Sequence, residues 1–179
     1  MPQLPAPTIT EPEVTIFIIL KVDATNAVTA PQCMRMLGNG NSDIILLMGG
    51  VGNNFLRFFS RSLNGQSADC IDTVNIVGDG NFYLVVCQYS YLTRTGRLII
   101  NGRDTPVQNL LMDKMDFLPA TPQAQFIWNS NNAGTAKWLG DSGTWCWYDV
   151  ALMSDANINK LANKYFLRRF PSLVWTDLP

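Results

Sequence analysis

Histidine is missing from this 179-residue chain, and glutamate nearly so, with Glu11 and Glu13 its only two examples. Without an imidazole no side chain has an unperturbed pKa near neutrality, which excludes Ser-His-Asp and Cys-His catalysis together with His-bearing zinc sites. Charge is sparse: charged residues make up 15% of the chain, against roughly 25% in an average globular domain. Thirteen basic residues face 14 acidic ones, a formal charge of −1, so no global field draws in nucleic acid or an anionic bilayer, and neither is expected as a partner. Long apolar runs are absent too. Ile16 to Leu20 and Ile44 to Met48 fall far short of the roughly 20 residues that span a membrane, and a soluble protein is expected. Met1 to Pro7 has no basic stretch followed by an apolar one, so no signal peptide is read and cytoplasmic synthesis is expected. The four cysteines, Cys33, Cys70, Cys87 and Cys146, stand far apart. That spacing fits neither a zinc site nor a redox motif, and buried free thiols are expected. Sixteen asparagines occur without one Asn-x-Ser/Thr acceptor, which points away from a glycosylated secretory history and toward a bacterial or viral one.

What remains is 47% hydrophobic, enough to build one core in a chain of this length. Abundant glycine, asparagine and aromatic residues favour turns and half-buried strands. Residues 1 to 13 hold four of the ten prolines; proline fixes φ and lacks a backbone donor, so this stretch is read as an extended arm that joins no regular element. An arm with so little apolar mass needs a partner to order it. A neighbouring subunit is the expected one, touched by Pro2, Leu4, Pro5 and Pro7. Residues 14 to 179 form the domain.

Val14 to Val22 is β-branched and aromatic and predicts a central strand. Gly38-Asn-Gly-Asn-Ser-Asp and Gly49-Gly-Val-Gly-Asn-Asn mark loops before strands at Ile44 to Met48 and Phe55 to Arg61. A strand from Phe82 to about Tyr91, a turn around Thr95-Gly96 and a strand over Arg97 to Arg103 read as a hairpin. Ala124 to Trp128 and Thr144 to Leu152 add two more strands, at least seven at sandwich-like spacing. One helix comes late. Ser154 is a suitable N-cap, and Ile158, Leu161, Ala162, Tyr165 and Phe166 form one apolar stripe. Lys160, Lys164, Arg168 and Arg169 take the opposite side or the last turn, read as a solvated face, and Pro171 stops the helix.

Tyr83-Leu-Val-Val-Cys-Gln followed by Leu98-Ile-Ile-Asn-Gly-Arg, and later Trp147-Tyr-Asp-Val-Ala-Leu-Met-Ser-Asp-Ala-Asn-Ile, resemble the laminin-G-like branch of the concanavalin A-like lectin and glucanase superfamily. Asn101-Gly102 is the most specific piece. Val14 to Val22 and Leu37-Gly-Asn-Gly-Asn are similar to the family's opening strand and first loop, so the likeness covers residues 14 to 170. The chain departs from the pattern at Phe126-Ile-Trp-Asn and at Asn157. The resemblance implies an all-β, two-sheet antiparallel jelly roll with one short C-terminal α-helix.

Glycoside hydrolysis, which that superfamily would first suggest, needs two carboxylates in contrasting protonation states. The glucanase branch's strand-borne glutamates have no counterpart, and Asp43, Asp69, Asp72, Asp79, Asp104, Asp141 and Asp149 are scattered; no catalytic residue is assigned. Calcium is implied by the laminin-G-like resemblance, with Asp43, Asp79 and Asp141 as loop candidates, set against ordinary turn-forming aspartate. No other cofactor is expected. A shallow glycan site would use an aromatic face with amides and a carboxylate, and Asn131, Asn132, Trp138 and Asp141 supply those groups in one loop-rich stretch. The competing reading puts Trp128, Trp138, Trp145 and Trp147 in the core and makes Asn129-Ser-Asn-Asn a turn. The reading as a whole is a non-catalytic structural and adhesive protein, a virion surface component such as a phage capsid decoration or tail protein. Its partners are other subunits and surface glycan. A free-standing carbohydrate-binding module and a divergent hydrolase are the alternatives.

Overall fold

Two runs of eight residues in which nearly every side chain is buried, EVTIFIIL and YLVVCQYS, set the centre of the molecule. A strand buried on both faces loses its polar alternation and reads as continuous apolar sequence, so a layer must cover each side of the sheet that holds them. The computed structural model describes residues 4–5, 13–23, 32–37, 43–48, 55–61, 67–90, 93, 95–105, 125–128, 142–149 and 152–179.

The strands, in chain order, are β1 (Leu4–Pro5), β2 (Glu13–Leu20), β3 (Gln32–Leu37), β4 (Asp43–Met48), β5 (Leu56–Arg61), β6 (Ser67–Ile71), β7 (Tyr83–Ser90), β8 (Thr95–Ile100), β9 (Arg103–Asp104), β10 (Gln125–Trp128) and β11 (Ser142–Asp149). They form a six-stranded sheet in the order β1-β10-β3-β4-β5-β6 and a five-stranded sheet in the order β11-β2-β7-β8-β9. Every pairing between these strands is antiparallel. The expected all-β jelly roll is the fold observed.

Period-two alternation sorts the side chains of the five-stranded sheet. Val14, Ile16, Ile18 and Leu20 of β2, Val85, Cys87 and Tyr89 of β7, and Leu98 and Ile100 of β8 meet Cys33, Leu56, Phe58 and Cys70 of the six-stranded sheet in one core. Phe17, Ile19, Leu84, Val86 and Ile99 point outward into a second core, closed by Ile158, Ala162, Phe166, Leu173 and Leu178. Phe166 stacks on Phe17 with centroids 5.3 Å apart and planes at 13°. The buried free thiols expected are seen at Cys33, Cys70 and Cys87; Cys146 has no described side chain.

The helix begins as read. Ser154 is the N-cap, its hydroxyl accepting from Asn157 N, and α1 runs Asp155–Leu161. A π turn, Ala162–Phe166, follows, and α2, Leu167–Arg169, ends before Pro171. The π turn corrects the apolar stripe: Ile158, Ala162 and Phe166 are buried, Leu161 is half-buried, and Tyr165 stands 42% exposed. An extra residue in the turn carries Tyr165 past the core.

Four further readings need correction. Leu4 and Pro5 are not outside regular structure: they pair with Phe126 and Gln125 at the sheet edge, where a missing proline donor costs no ladder bond. Glu13, assigned to the arm, opens β2 opposite Ser90 and accepts a 2.8 Å bond from Ser90 Oγ. Thr95 and Gly96 are strand residues in register with Ser90 and Tyr89, so the hairpin reverses before Thr95. Asn101-Gly102, read as strand, is instead the two-residue reversal into β9, with φ of 51° and 80°, the combination that favours Asn-Gly.

Past Pro171 the chain runs as an irregular tail held by side chains. Asn159 donates to Leu178 O at 3.0 Å and accepts from Leu178 N at 2.9 Å and Trp175 Nε1 at 3.2 Å. Thr176 N donates to Asn101 O at 3.0 Å, which seats the tail on the Asn101-Gly102 turn.

Candidate functional site

Two polar clusters occupy the described surface. The first lies where β2 runs on to Val22, which forms a parallel bridge with Val77, while Gly78 N donates to Val22 O at 2.8 Å. Asp79 caps its own turn, accepting from Asn81 N at 2.9 Å and Asn81 Nδ2 at 3.1 Å and from the Tyr83 hydroxyl. Slight desolvation pushes the Asp79 carboxyl up, but the bonds from Tyr83 and Asn81 outweigh it and hold it below the ordinary carboxylate range. The Tyr83 phenol, partly desolvated and bound to that carboxylate, is pushed up to about 12. Lys21 lies 3.2 Å from Asp23 and 5.7 Å from the Phe82 ring centroid.

Of the calcium candidates, Asp79 is thus engaged with donors of its own loop. Asp43 is not a loop residue but the first of β4, opposite Leu37 and Arg61, and Asp141 lies outside the described residues. Among the described residues no three Asp, Glu or Cys side chains are grouped to hold a metal ion.

The second cluster sits on the outer face of the five-stranded sheet, beside the start of α1. Arg97 reaches Asp155 through two bonds of 2.5 and 3.3 Å and Asp104 through Nε at 2.8 Å. Burial alone would lower its basicity, but these two carboxylates outweigh that and raise it above the ordinary guanidinium value. Gln88 is saturated: its Nε2 donates to Met153 O at 2.8 Å and Thr15 Oγ1 at 3.2 Å, and its Oε1 accepts from Arg97 at 3.3 Å. Gln88, Thr95, Gly96, Arg97 and Leu152 line a cleft of about 210 Å³, below the roughly 300–1,000 Å³ of small-molecule sites. Polar groups already paired with one another make this cleft a buttress that ties α1 to β7, β8 and β9.

Asp72, completely buried, is bound by Arg103 through two bonds of 2.5 and 3.0 Å. The glycan candidates Asn131, Asn132, Trp138 and Asp141 lie outside the described residues, as do Pro2 and Pro7; Leu4 and Pro5 are in β1. Sequence reasoning did not foresee the Arg97 cluster, because its members are separated in the chain and only the β7–β8 register and the N-cap of α1 bring them together.

No family model matches the sequence, and no curated protein matches it. Solved structures do share its backbone. The CBM40 module of the Ruminococcus gnavus IT-sialidase, bound to α2,6 sialyllactose, superposes with a TM-score of 0.58 at 14% identity, covering 83% of this chain and 82% of that one. A heptameric SAP-like pentraxin from Limulus polyphemus gives 0.65 at 10% identity over 100% and 81%. Domains LG4-5 of the mouse laminin alpha1 chain give 0.59 at 10% identity over 79% and 36%. What is shared at such identities is the backbone: this chain has the concanavalin A-like, laminin-G-like jelly-roll fold.

Proposed function

We propose that this chain is a non-catalytic, lectin-like contact domain that recognises glycan and serves as a subunit of a large assembly, a virion surface component such as a phage capsid decoration or tail protein. The observation that carries the reading is the backbone shared with a sialyllactose-bound module across 83% of the chain. The described carboxylates support it. A glycosidase needs one carboxyl group kept protonated beside an ionised one. Here Asp72 is paired with Arg103, Asp104 and Asp155 with Arg97, and Asp23 with Lys21. Asp79 is held ionised by Tyr83 and Asn81.

Asn131, Asn132, Trp138 and Asp141 are the proposed glycan contacts, with calcium at the loop aspartates as an accessory. The arm, with Pro2, Leu4, Pro5 and Pro7, and β11, an eight-residue strand that ends its sheet among the described residues, are the proposed subunit contacts. A long edge strand is a natural template for a neighbouring chain.

A glycan array combined with light scattering tests the proposal. Binding to a subset of glycans by an oligomer, with no release of reducing sugar, is the expected result. A monomer that binds glycan would make it a free-standing carbohydrate-binding module, and release of reducing sugar would make it a hydrolase.

A further inference from the structure

The C-terminal helix concentrates positive charge that the rest of the chain does not. Residues 160 to 169 carry four cations, Lys160, Lys164, Arg168 and Arg169, and no carboxylate, in a chain whose totals are 13 and 14. All four are exposed. Among the described residues Lys160, Lys164 and Arg168 form no ion pair.

These three stand at intervals of four. In a regular α-helix each four-residue step overshoots a full turn by about 40°, so three such residues would fan around the axis. The π turn at Ala162–Phe166 holds more residues and takes the overshoot back. Its effect is visible on the buried side, where Ile158, Ala162 and Phe166, also four apart, are all at 0 or 1% exposure. Each cation follows a buried residue by two positions, half a turn away, and so the cations form a row on the outward side, about 12 Å long.

Tyr165 flanks that row, one residue past Lys164 and about a quarter turn around the axis. The residue is 42% exposed and its ring is braced edge-to-face on Phe166, centroids 5.3 Å apart at 85°, while Phe166 stacks in turn on Phe17. The helix dipole accounts for cations in the last turn. It does not account for a braced, exposed aromatic residue beside them, nor for a π turn, a rare feature found often at functional sites.

We infer that this row is a docking face for an anionic polysaccharide, a linear chain bearing carboxylate or sulfate groups, with Lys160, Lys164 and Arg168 pairing successive anions and Tyr165 stacking on a sugar ring. A narrow line of charge with a flat aromatic surface suits a linear polyanion; the row offers no aliphatic side chain to insert into a bilayer. The inference rests on the glycan-binding reading above and names a ligand class and a surface for it, away from Asn131, Asn132, Trp138 and Asp141.

Titration calorimetry of the full chain with heparin, polygalacturonate and neutral dextran, and with phosphatidylserine–phosphatidylcholine vesicles, tests it. Heparin or polygalacturonate should bind and weaken with added sodium chloride, and dextran should not. The triple variant Lys160→Gln, Lys164→Gln, Arg168→Gln should lose about tenfold in affinity, with an unchanged circular dichroism spectrum. Tyr165→Ser should weaken binding and Tyr165→Phe should leave it intact, a split that reads stacking even if the triple variant fails to fold. Equal affinity of the wild type and the variants, binding to vesicles alone, or no binding to either polyanion would overturn the inference. Array signals that persist in the triple variant would leave the glycan-binding reading standing and sink this surface alone; a wild type that binds no glycan of any kind would sink both.

Discussion

Replacing Gly102 with alanine should destabilise the protein through the C-terminal tail. Gly102 has φ of +80°, and a Cβ added there would overlap the Thr176 carbonyl oxygen and stand 2.6 Å from Thr176 C and 2.8 Å from its N. All three are backbone atoms, which no rotamer change can move aside. Gly80 supplies the control: its φ is +78°, yet an added Cβ meets nothing within 4 Å. Both substitutions incur the strain of a left-handed residue, about 1 kcal/mol, and both gain from a stiffer unfolded chain, so these contributions cancel in the comparison. What is left at Gly102 is displacement of the tail. The Thr176 N to Asn101 O bond is lost, about 1 kcal/mol, and the seating of Leu173 and Leu178, each worth roughly 1.5–3 kcal/mol when fully buried, is loosened. An excess of about 2 kcal/mol over Gly80→Ala follows, roughly 4–8 °C in Tm for a chain of this size. Urea unfolding of the two variants side by side measures it, and hydrogen exchange should show the Thr176 amide opening first. Equal midpoints for the two variants would refute the tail's place in the fold.

Arg103→Leu strands the buried Asp72 carboxylate and should cost about 3 kcal/mol, the lower end for a broken buried pair because Arg103 is itself 41% exposed; the Asp72→Asn, Arg103→Leu double variant should recover part of it in urea unfolding. The Tyr83 phenol should titrate near 12 by ultraviolet absorbance, and Asp79→Asn should move it back toward about 10. A phenol held up in the folded state stabilises it below about pH 10, a contribution lost as pH rises through about 12. Asp79 runs the opposite way. Held below its unfolded value, it stabilises the fold above about pH 4, and that contribution fades as pH falls through its folded pKa, so Tyr83→Phe should flatten the acid limb of the stability curve. Burial and the Asp104 charge push the Cys70 thiol up to about 11, so Cys70 should resist alkylation at pH 8 in the folded protein and react in urea, and Cys33 and Cys87 should be shielded by their burial alone; labelling of Cys70 at the unfolded rate would contradict its burial.

What was legible in the sequence depended on how local its cause was. β2 and β7 stood out because burial on both faces leaves an unbroken apolar run, and Ser154 because an N-cap is a local device. β3 and β6 are not legible: QCMRML and SADCI lack β-branched runs and take their strand state from their partners, β10 and β4 for β3 and β5 for β6. Asn101-Gly102 was noticed as a motif yet read as strand, since its role as a turn depends on β9, only two residues long. Tyr165 was placed in the core because helical periodicity assumes 3.6 residues per turn, and one π turn breaks that assumption. The tail has no sequence signal, because Trp175 and Leu178 are held by one distant amide, Asn159. The glycan candidates stood together in sequence and lie outside the described residues, so the chemistry the structure displays is at Arg97, Asp79 and the helix.

Double burial of the five-stranded sheet also restricts where a ligand can bind. An open sheet face can serve as a trough for a saccharide, but here the outer face is taken: Phe17, Ile19, Leu84, Val86 and Ile99 are covered by the helix and tail, and the polar remainder is closed by Arg97, Gln88 and Asp155 bonding to one another. Uncovering that face would expose five large apolar side chains, at roughly 1.5–3 kcal/mol each, more than a weak glycan contact returns. In β5 of the other sheet, Arg57 and Phe59 are half-buried and alternate with the buried Leu56 and Phe58. The proposed glycan recognition therefore has to use a surface that exists without rearrangement, and among the described residues the outward side of the helix is one. Among the described residues the helix sets a braced aromatic residue beside a row of cations, and its shape is set by the packing beneath it. A substitution in the second core, such as Phe166→Ala, should then weaken polyanion binding as well as stability, because Tyr165 would lose the ring that holds it.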